Sequence, residues 1–178
     1  MKITYTWTQS QFIRLALYDY ELGPQRLRSK LTMALVIVTL AALLLNNLYH
    51  RNFEFSIWDL VLVAVGLCWY ALRGSIMVRM FTRSFKRSGM EGLELNFDVK
   101  EEGINIQVTD RPQQQLEWGQ IKRVIRTRDG FLVYPGPMWF PAAKLEDGAT
   151  TEELAALLQR KVEDYQDQRQ HQLKLKDD

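Results

Sequence analysis

The chain has 178 residues, of which 25% are charged and 47% hydrophobic, and its formal net charge is +2. This length corresponds to one ordinary domain, and the averages are those of a soluble protein. However, almost every long apolar run lies between Leu31 and Leu72, which indicates a membrane segment with polar flanks and excludes a uniform globular chain. Cys68 is the only cysteine, which excludes an intramolecular disulfide and argues against a disulfide-stabilised exterior domain.

The N-terminal unit, residues 1–28, is predicted to form a strand followed by a short amphipathic helix. Residues 3–7 alternate between apolar and polar side chains, with the β-branched and aromatic types of a half-buried strand. Thr8 and Gln11 have the spacing of a capping box, and apolar residues follow at helical spacing up to the Gly-Pro pair at 23–24. The unit lacks the short apolar core and the cleavage site of a secretory signal, so we expect no cleavage.

Two apolar runs predict a transmembrane hairpin. Residues 31–49 contain no charged side chain, and a helix of this length, about 28 Å, matches a hydrocarbon core of about 30 Å. The second run is shorter, since only residues 60–72 are uncharged, but Trp58, Trp69 and Tyr70 suit the membrane interfaces. The hairpin is expected over residues 29–78, with spans at about 30–49 and 56–77.

Basic residues flank both outer ends of the hairpin, whereas the loop between the spans carries Arg51 as its only firm positive charge. By the positive-inside rule, both termini are expected in the cytoplasm. The second span is followed by a basic connector, residues 79–92, which we expect to be flexible. Its charged side chains would share one side of a continued helix and are predicted to contact anionic lipid headgroups. They are Arg79, Arg83, Lys86 and Arg87.

Residues 93–167 are predicted to form a small β-domain. Apolar and polar side chains alternate over residues 93–99 and 104–108, which indicates two paired strands. Asp129 and Gly130 form a strong two-residue turn ahead of a further strand. Five or six short strands and one helix in about 85 residues indicate a small antiparallel barrel or curved sheet, so the fold class is α+β.

The last element is predicted to be an amphipathic helix with a capping box formed by Thr150 and Glu153. Its apolar stripe is expected to pack on the sheet, in one core with Trp118. The stripe consists of Leu154, Leu157, Leu158, Val162 and Tyr165. Beyond the helix, residues 168–178 form a polar tail that is expected to fray.

Several of these features follow one another in an order typical of a known family. Two early apolar spans precede a β-rich region with Trp118 three residues before Ile121, an Asp-Gly-Phe-Leu turn at 129–132, Phe140 next to Pro141, and an acidic-capped helix. Over nearly its whole length the chain resembles the YcxB-like family, although the usual Ile or Val before the proline is absent. The resemblance implies a pleckstrin-homology-like (PH-like) domain, a curved antiparallel sheet closed at one end by a C-terminal helix. It also implies a multi-pass protein of the bacterial inner membrane with no assigned reaction.

The sequence contains no catalytic or metal-binding pattern. His50 and His171 have no cysteine or carboxylate at ligand spacing around them. Neither a phosphate-binding glycine loop nor a nucleophile motif occurs. We therefore expect no enzyme activity, no cofactor and no metal.

Three basic side chains on one face of the predicted strand 121–128 allow two interpretations. They either bind anionic lipid headgroups, to which each contributes on the order of 1 kcal/mol, or form an ordinary solvated strand face. The solvated face is favoured, because acidic residues lie beside it. The three are Lys122, Arg126 and Arg128.

Two further groups also leave alternatives open. The aromatic residues around the Pro-Gly-Pro segment at 135–137 either shape a ligand pocket or belong to the core, and the core is favoured. They are Phe131, Tyr134, Trp139 and Phe140. At the far end of the hairpin, Asn46, Asn47 and Asp59 either pair across the two spans or are simply hydrated, and hydration is favoured.

Taken together, these patterns predict a non-enzymatic inner-membrane protein that presents a cytosolic PH-like domain for binding a protein or lipid headgroups. The expected partners are the membrane itself, anionic headgroups and an unidentified protein, and no nucleic acid. The alternative is a small membrane immunity or stress protein whose active part is the hairpin, acting on a toxin or on a larger membrane complex.

Overall fold

Short strands and four α-helices make up the structure, a computed structural model that describes residues 1–24, 26–52, 54, 56–109, 111–146 and 148–173. The elements in chain order are β1 (Lys2–Thr6), α1 (Gln9–Leu22), α2 (Arg26–His50), α3 (Ile57–Ser88), β2 (Glu94–Val99), β3 (Gly103–Val108), β4 (Gln114–Glu117), β5 (Arg123–Arg126), β6 (Gly130–Tyr134), β7 (Met138–Pro141), α4 (Thr151–Lys161) and β8 (Tyr165–Asp167). Short 3-10 turns follow β4 and β7. The predicted α+β class, with two long apolar helices and a C-terminal helix, is confirmed.

The strands form two four-stranded sheets, ordered β1-β2-β3-β4 and β7-β6-β5-β8. No ladder joins the sheets into a closed barrel among the described residues, so the barrel expectation is wrong. An isolated antiparallel bridge joins Ile3 of β1 to Leu145, just after the 3-10 turn that follows β7. The sheets are held together by side chains instead, as in the contact between the rings of Phe97 and Phe140, 4.7 Å apart. Side chains of both sheets, α1 and α4 form one hydrophobic core, and we call this unit the β-domain.

The predicted N-terminal strand is present, but it is not part of a separate unit. β1 pairs antiparallel with β2, with Tyr5 opposite Leu95, although these residues are separated by the whole hairpin. The apolar side chains of β1 are buried in the common core, with Ile3 fully enclosed. Residues 1–28 and 93–167 therefore fold together as one unit. The start of the first long helix and the end of the second both adjoin this unit.

The two long helices, α2 and α3, are long and apolar enough to cross a membrane. They contain 25 and 32 residues, and their most apolar windows have mean hydropathies of 2.1 and 1.8. Only 6% and 0% of these windows are buried within the protein. Core helices of soluble proteins are mostly buried, so these helices have the exposure expected of membrane spans.

The predicted flexible connector is helical over most of its length. α3 continues to Ser88 and ends at Gly89, whose φ of 64° is the left-handed conformation that glycine adopts readily. Phe85, near this end, is fully buried and packs against Phe12 of α1, with ring centroids 5.2 Å apart. The expectation of flexibility is wrong for the helical part, because an apolar side chain anchors it in the core.

The C-terminal helix α4 begins with the predicted capping box, in which the Thr150 hydroxyl accepts from the Glu153 amide at 3.2 Å. Leu154, Leu157 and Leu158 are buried, and Trp118 packs partly buried against the same core, as predicted.

The helix is shorter than its apolar stripe suggests. Val162 already has extended backbone, and Tyr165 belongs to β8, which pairs parallel with β5. The tail that was expected to fray remains in contact with the β-domain, since His171 pairs with Glu21 and Leu173 packs against the core. Residues 174–178 of the predicted tail lie outside the described residues.

Candidate functional site at the base of the hairpin

Helix α1 fastens the hairpin to the second sheet. The Tyr18 hydroxyl donates to the Asp129 carboxylate at 2.9 Å, and the Tyr134 hydroxyl donates to the Asp19 carboxylate at 2.6 Å. The Tyr18 ring also stacks on Trp139, with centroids 5.7 Å apart. Since α1 also contacts α2 and α3, it connects the apolar helices to the β-domain.

The buried tyrosine hydroxyls of this region resist ionisation. Burial, reinforced by the hydrogen bond to Asp129, raises the pKa of Tyr18 to about 12. Burial likewise raises the pKa of Tyr5, whose hydroxyl donates to the Trp139 carbonyl at 2.8 Å, and the pKa of Tyr134. The protonated tyrosines therefore stabilise the folded state.

We expect the β-domain to lose stability at alkaline pH in a defined window. Because the pKa of Tyr18 rises from 10.0 to about 12 on folding, its contribution is complete below pH 10 and is lost as the pH rises through 12. The measurement is a titration of tyrosinate absorbance alongside circular dichroism. Tyr18→Phe should flatten the loss of stability in this window. Ionisation of all seven tyrosines near pH 10 in an intact fold would contradict the expectation.

The four predicted headgroup-contact residues lie on the last turns of α3, and all are exposed. At 3.6 residues per turn they share one side of the helix, roughly opposite Phe85. The residues are Arg79, Arg83, Lys86 and Arg87. Burial of Phe85 therefore turns this basic side away from the core and into solvent.

The predicted patch of Lys122, Arg126 and Arg128 is interrupted at its centre. Arg126 is only 6% exposed, and its guanidinium donates two hydrogen bonds to Glu152 of α4, at 2.9 and 2.5 Å. It also lies over the Phe131 ring, 5.7 Å from the centroid. Both predicted interpretations assumed a solvated face and are wrong for Arg126, because β5 lies between β6 and β8 and α4 supplies an acidic partner.

The pKa shifts of Arg126 and Glu152 are those of two residues that form an ion pair within the fold. Hydrogen bonds from the Arg126 guanidinium hold the pKa of the Glu152 carboxyl below its usual range, and Glu152 in turn raises the pKa of Arg126. Each partner favours the charged form of the other, as in an ordinary ion pair. Lys122 and Arg128 remain exposed.

The remaining two groups of candidates also have structural roles. All four aromatic residues around the Pro-Gly-Pro segment are at most 7% exposed, which confirms the core interpretation. At the far end of the hairpin, Asn47 donates to the Asp59 carboxylate at 2.7 Å, and Asp59 is only 1% exposed. The expectation of simple hydration is therefore wrong for this pair, which links α2 to α3.

A cleft of about 610 Å³ opens where the hairpin meets the β-domain. Arg26 and Lys30 of α2 and Arg73 of α3 line one side, and Glu21 and residues of the C-terminal segment line the other. Sequence reasoning treated Arg26 and Lys30 as determinants of topology and Arg73 as a span-end residue that reaches the headgroup region, and it did not bring the three together. The signal that it missed was the spacing of Arg26 and Lys30, four residues apart and hence on one face of α2.

The cleft leads into an apolar groove between the long helices. This groove has a volume of about 240 Å³, and Ile37 lines both it and the cleft. Among the described residues, no group of His, Cys, Asp and Glu side chains is placed to hold a metal ion. The cations of the cleft and the apolar groove beside it are suited to binding an amphiphilic anion.

Comparisons with protein-family models, with curated proteins and with solved structures found no match to this chain.

Proposed function

We propose that this is a non-enzymatic protein of the bacterial inner membrane that holds a cytosolic PH-like domain at the inner leaflet, where the domain binds lipid headgroups or a protein. The observation that carries the proposal is the continuity of α3. One helix runs from the apolar hairpin into the core of the β-domain and is anchored there by fully buried Phe85. A domain attached in this way has a fixed position and orientation relative to the membrane.

The order of the strands supports the PH-like assignment. Four consecutive antiparallel strands are followed by three more and then by helix α4. This succession agrees with the curved antiparallel sheet and C-terminal helix that the resemblance to the YcxB-like family implies. Pairing of β8 with β5 is an addition to that pattern.

The position of each basic residue along α3 sets its distance from the hydrocarbon core, and hence the strength of its contact with the leaflet. Residues 57–76 of an upright helix cover a hydrocarbon core of about 30 Å. Arg79 then lies about 5 Å beyond the core, within the headgroup layer, and Arg83 about 10 Å beyond it. Lys86 and Arg87 lie about 15 Å out, where screening with a Debye length of about 8 Å weakens their attraction. Arg79 and Arg83 are the main headgroup contacts.

Reporter fusions at Met1 and Asp178 should both report the cytoplasm, and a reporter inserted at Asn52 should report the periplasm. The reason is that β1 and β2 share one sheet, while basic residues cluster at that end of the hairpin and Arg51 is the only one in the loop at the other end. The measurement is paired activity of a reporter active in the cytoplasm and one active in the periplasm. A periplasmic signal at Asp178 would overturn the proposed topology.

A second candidate is a membrane immunity or stress protein that acts through the hairpin on a toxin or a larger complex. The favouring observation is the large exposed apolar surface of α2 and α3. Photocrosslinkers at Leu43 and Val65, which are 55% and 61% exposed, would discriminate the candidates in native membranes. One discrete protein adduct would favour the hairpin as the active part, and lipid adducts alone would favour the main proposal.

A further inference from the structure

We infer that the cleft and the groove between α2 and α3 form one binding site for a single anionic phospholipid of the inner leaflet. The headgroup phosphate would bind in the cleft, and an acyl chain would lie in the groove. The inference rests on the proposed membrane location and deepens it by naming a ligand and a site.

Three cations converge on the cleft. Arg26 and Lys30 project from the same face of α2, and Arg73 faces them from α3. Arg73 is held across the helix pair, since its guanidinium lies 3.7 Å from the sulfur of Met33 and 5.1 Å from the centroid of the Tyr70 ring. Guanidinium groups bind phosphate oxygens with paired hydrogen bonds, so a phosphate is the fitting ligand.

The opposite wall of the cleft leaves this positive charge available. Its carboxylate, Glu21, is already engaged by the ring of His171, with Nε2 and Oε2 2.5 Å apart. Ser29 and Gln168 also line the cleft, and their neutral polar groups can donate hydrogen bonds to headgroup oxygens. A phosphate in the cleft therefore meets three cations, neutral donors and one carboxylate that is hydrogen-bonded to His171, so positive charges outnumber negative ones.

The apolar part of the site continues the same face of α2. Met33 and Ile37 follow Lys30 at intervals of three and four residues, and Leu40 and Leu44 extend the line into the groove. From Met33 to Leu44 the helix rises about 16 Å, close to the hydrocarbon depth of one leaflet, about 15 Å. Arg26 and Lys30 thus lie at headgroup level, and Arg73, about one turn inside the core on α3, reaches that level with its long side chain. The groove lies at the depth of an acyl chain.

This continuity favours a lipid over a soluble phosphate compound. A soluble anion would use the charged cleft and leave the groove empty, whereas a phospholipid uses both parts. Ile37 lines both the cleft and the groove, so the two parts form one continuous surface.

The first test is native mass spectrometry of the full-length protein in detergent, titrated with dioleoylphosphatidylglycerol or dioleoylphosphatidylcholine. The parent protein should bind the anionic lipid at least tenfold more tightly than the zwitterionic one. Replacing Arg26, Lys30 and Arg73 together with Gln should remove most of this preference. Arg28, Arg79 and Arg83 remain to preserve the orientation of the hairpin.

The matched control removes the same charge from the exposed surface of the β-domain, by replacing Lys100, Arg111 and Lys144 with Gln. It should change binding of the anionic lipid less than twofold. Equal losses in both triple variants would show a general charge effect and overturn the site. Equal binding of the two lipids by the parent protein would overturn it as well.

The second test concerns the groove. A side chain at Gly66 would enter it, since a Cβ there meets only Leu40 Cδ1, at 4.0 Å, whereas a Cβ at Gly74 meets nothing within 4 Å. Gly66→Phe should therefore weaken binding of the anionic lipid several-fold, and Gly74→Phe should leave it unchanged. Full competition by an equal concentration of glycerol 3-phosphate would show that the acyl chain contributes nothing, which would overturn the inference.

Failure of the proposed function has a different readout. If alkaline carbonate extracts the protein from membranes, the membrane location itself is wrong. If the protein resists extraction but shows no lipid preference, the location holds and the lipid site is wrong.

Discussion

Replacing Phe85 with Ala is expected to lower the free energy of unfolding of the β-domain by about 3 to 5 kcal/mol. Phe85 is fully buried, its ring lies 5.2 Å from that of Phe12, and its removal leaves a cavity where α3 enters the core. The measurement is denaturant unfolding of the detergent-solubilised protein, followed by tryptophan fluorescence. Met80→Ala, on the same helix but 57% exposed, is the control and should cost less than about 0.5 kcal/mol.

The same variant tests whether Phe85 fixes the domain to the membrane. Trypsin cleavage after Arg83, Lys86 and Arg87 should be slow in the parent protein, because these residues lie in a helix anchored by its neighbour. In Phe85→Ala the cleavage should become several-fold faster. A loss of stability below about 1 kcal/mol, together with unchanged cleavage, would show that the end of α3 is not held by the core.

The fragment 89–173, which lacks residues 1–24 as well as the hairpin, is not expected to fold. Loss of residues 1–24 removes β1 and α1, including the buried side chains of Ile3 and Tyr5 in β1 and of Trp7 just after it, and uncovers the edge of β2. Three such side chains at about 2 to 5 kcal/mol each already match the usual total stability of about 5 to 15 kcal/mol. The fragment 89–173 should therefore give no cooperative melt by circular dichroism.

The control restores the missing elements without the hairpin. A single chain joins residues 1–24 to residues 89–173 through about 20 Gly and Ser residues, a linker with a mean span of about 25 Å. This chain lacks Phe85 and is expected to be less stable than the whole protein, but it should still melt cooperatively. Cooperative melting of the fragment 89–173 alone would instead mean that β1 is dispensable and that the N-terminal unit is separate.

Local sequence patterns were sufficient to predict the elements that depend on only a few neighbouring residues. The apolar run from Leu31 indicated a long helix, and the patterns at Thr8 and Thr150 marked the first residues of α1 and α4. Thr150 forms the complete capping box, whereas Thr8 acts as an N-cap without the reciprocal bond from the Gln11 side chain. Alternation of side chains identified β1, β2 and β3. Helix caps, spans and strand faces depend on hydrogen bonds and periodicity over short stretches, so local patterns are sufficient to find them.

The contacts between these elements could not be predicted from local patterns. Periodicity shows that β1 has an apolar face. Its pairing with β2 brings together residues on either side of the whole hairpin, and no local pattern encodes this pairing. Arg126 reads as a surface cation because its partner Glu152 lies 26 residues away on another element. Gly130 reads as a turn residue, yet a Cβ there would lie 2.2 Å from the Phe140 carbonyl oxygen, so close packing of β6 and β7 requires it.

The cleft at the base of the hairpin arises for the same reason. Arg26 and Lys30 are adjacent on α2, but Arg73 reaches them only because α3 runs antiparallel to α2, and Glu21 and His171 complete the wall from opposite ends of the chain. Each residue alone has an ordinary local role as a topology signal or a helix end. The site exists through contacts between residues distant in sequence, which are made only when the apolar helices and the two sheets have packed.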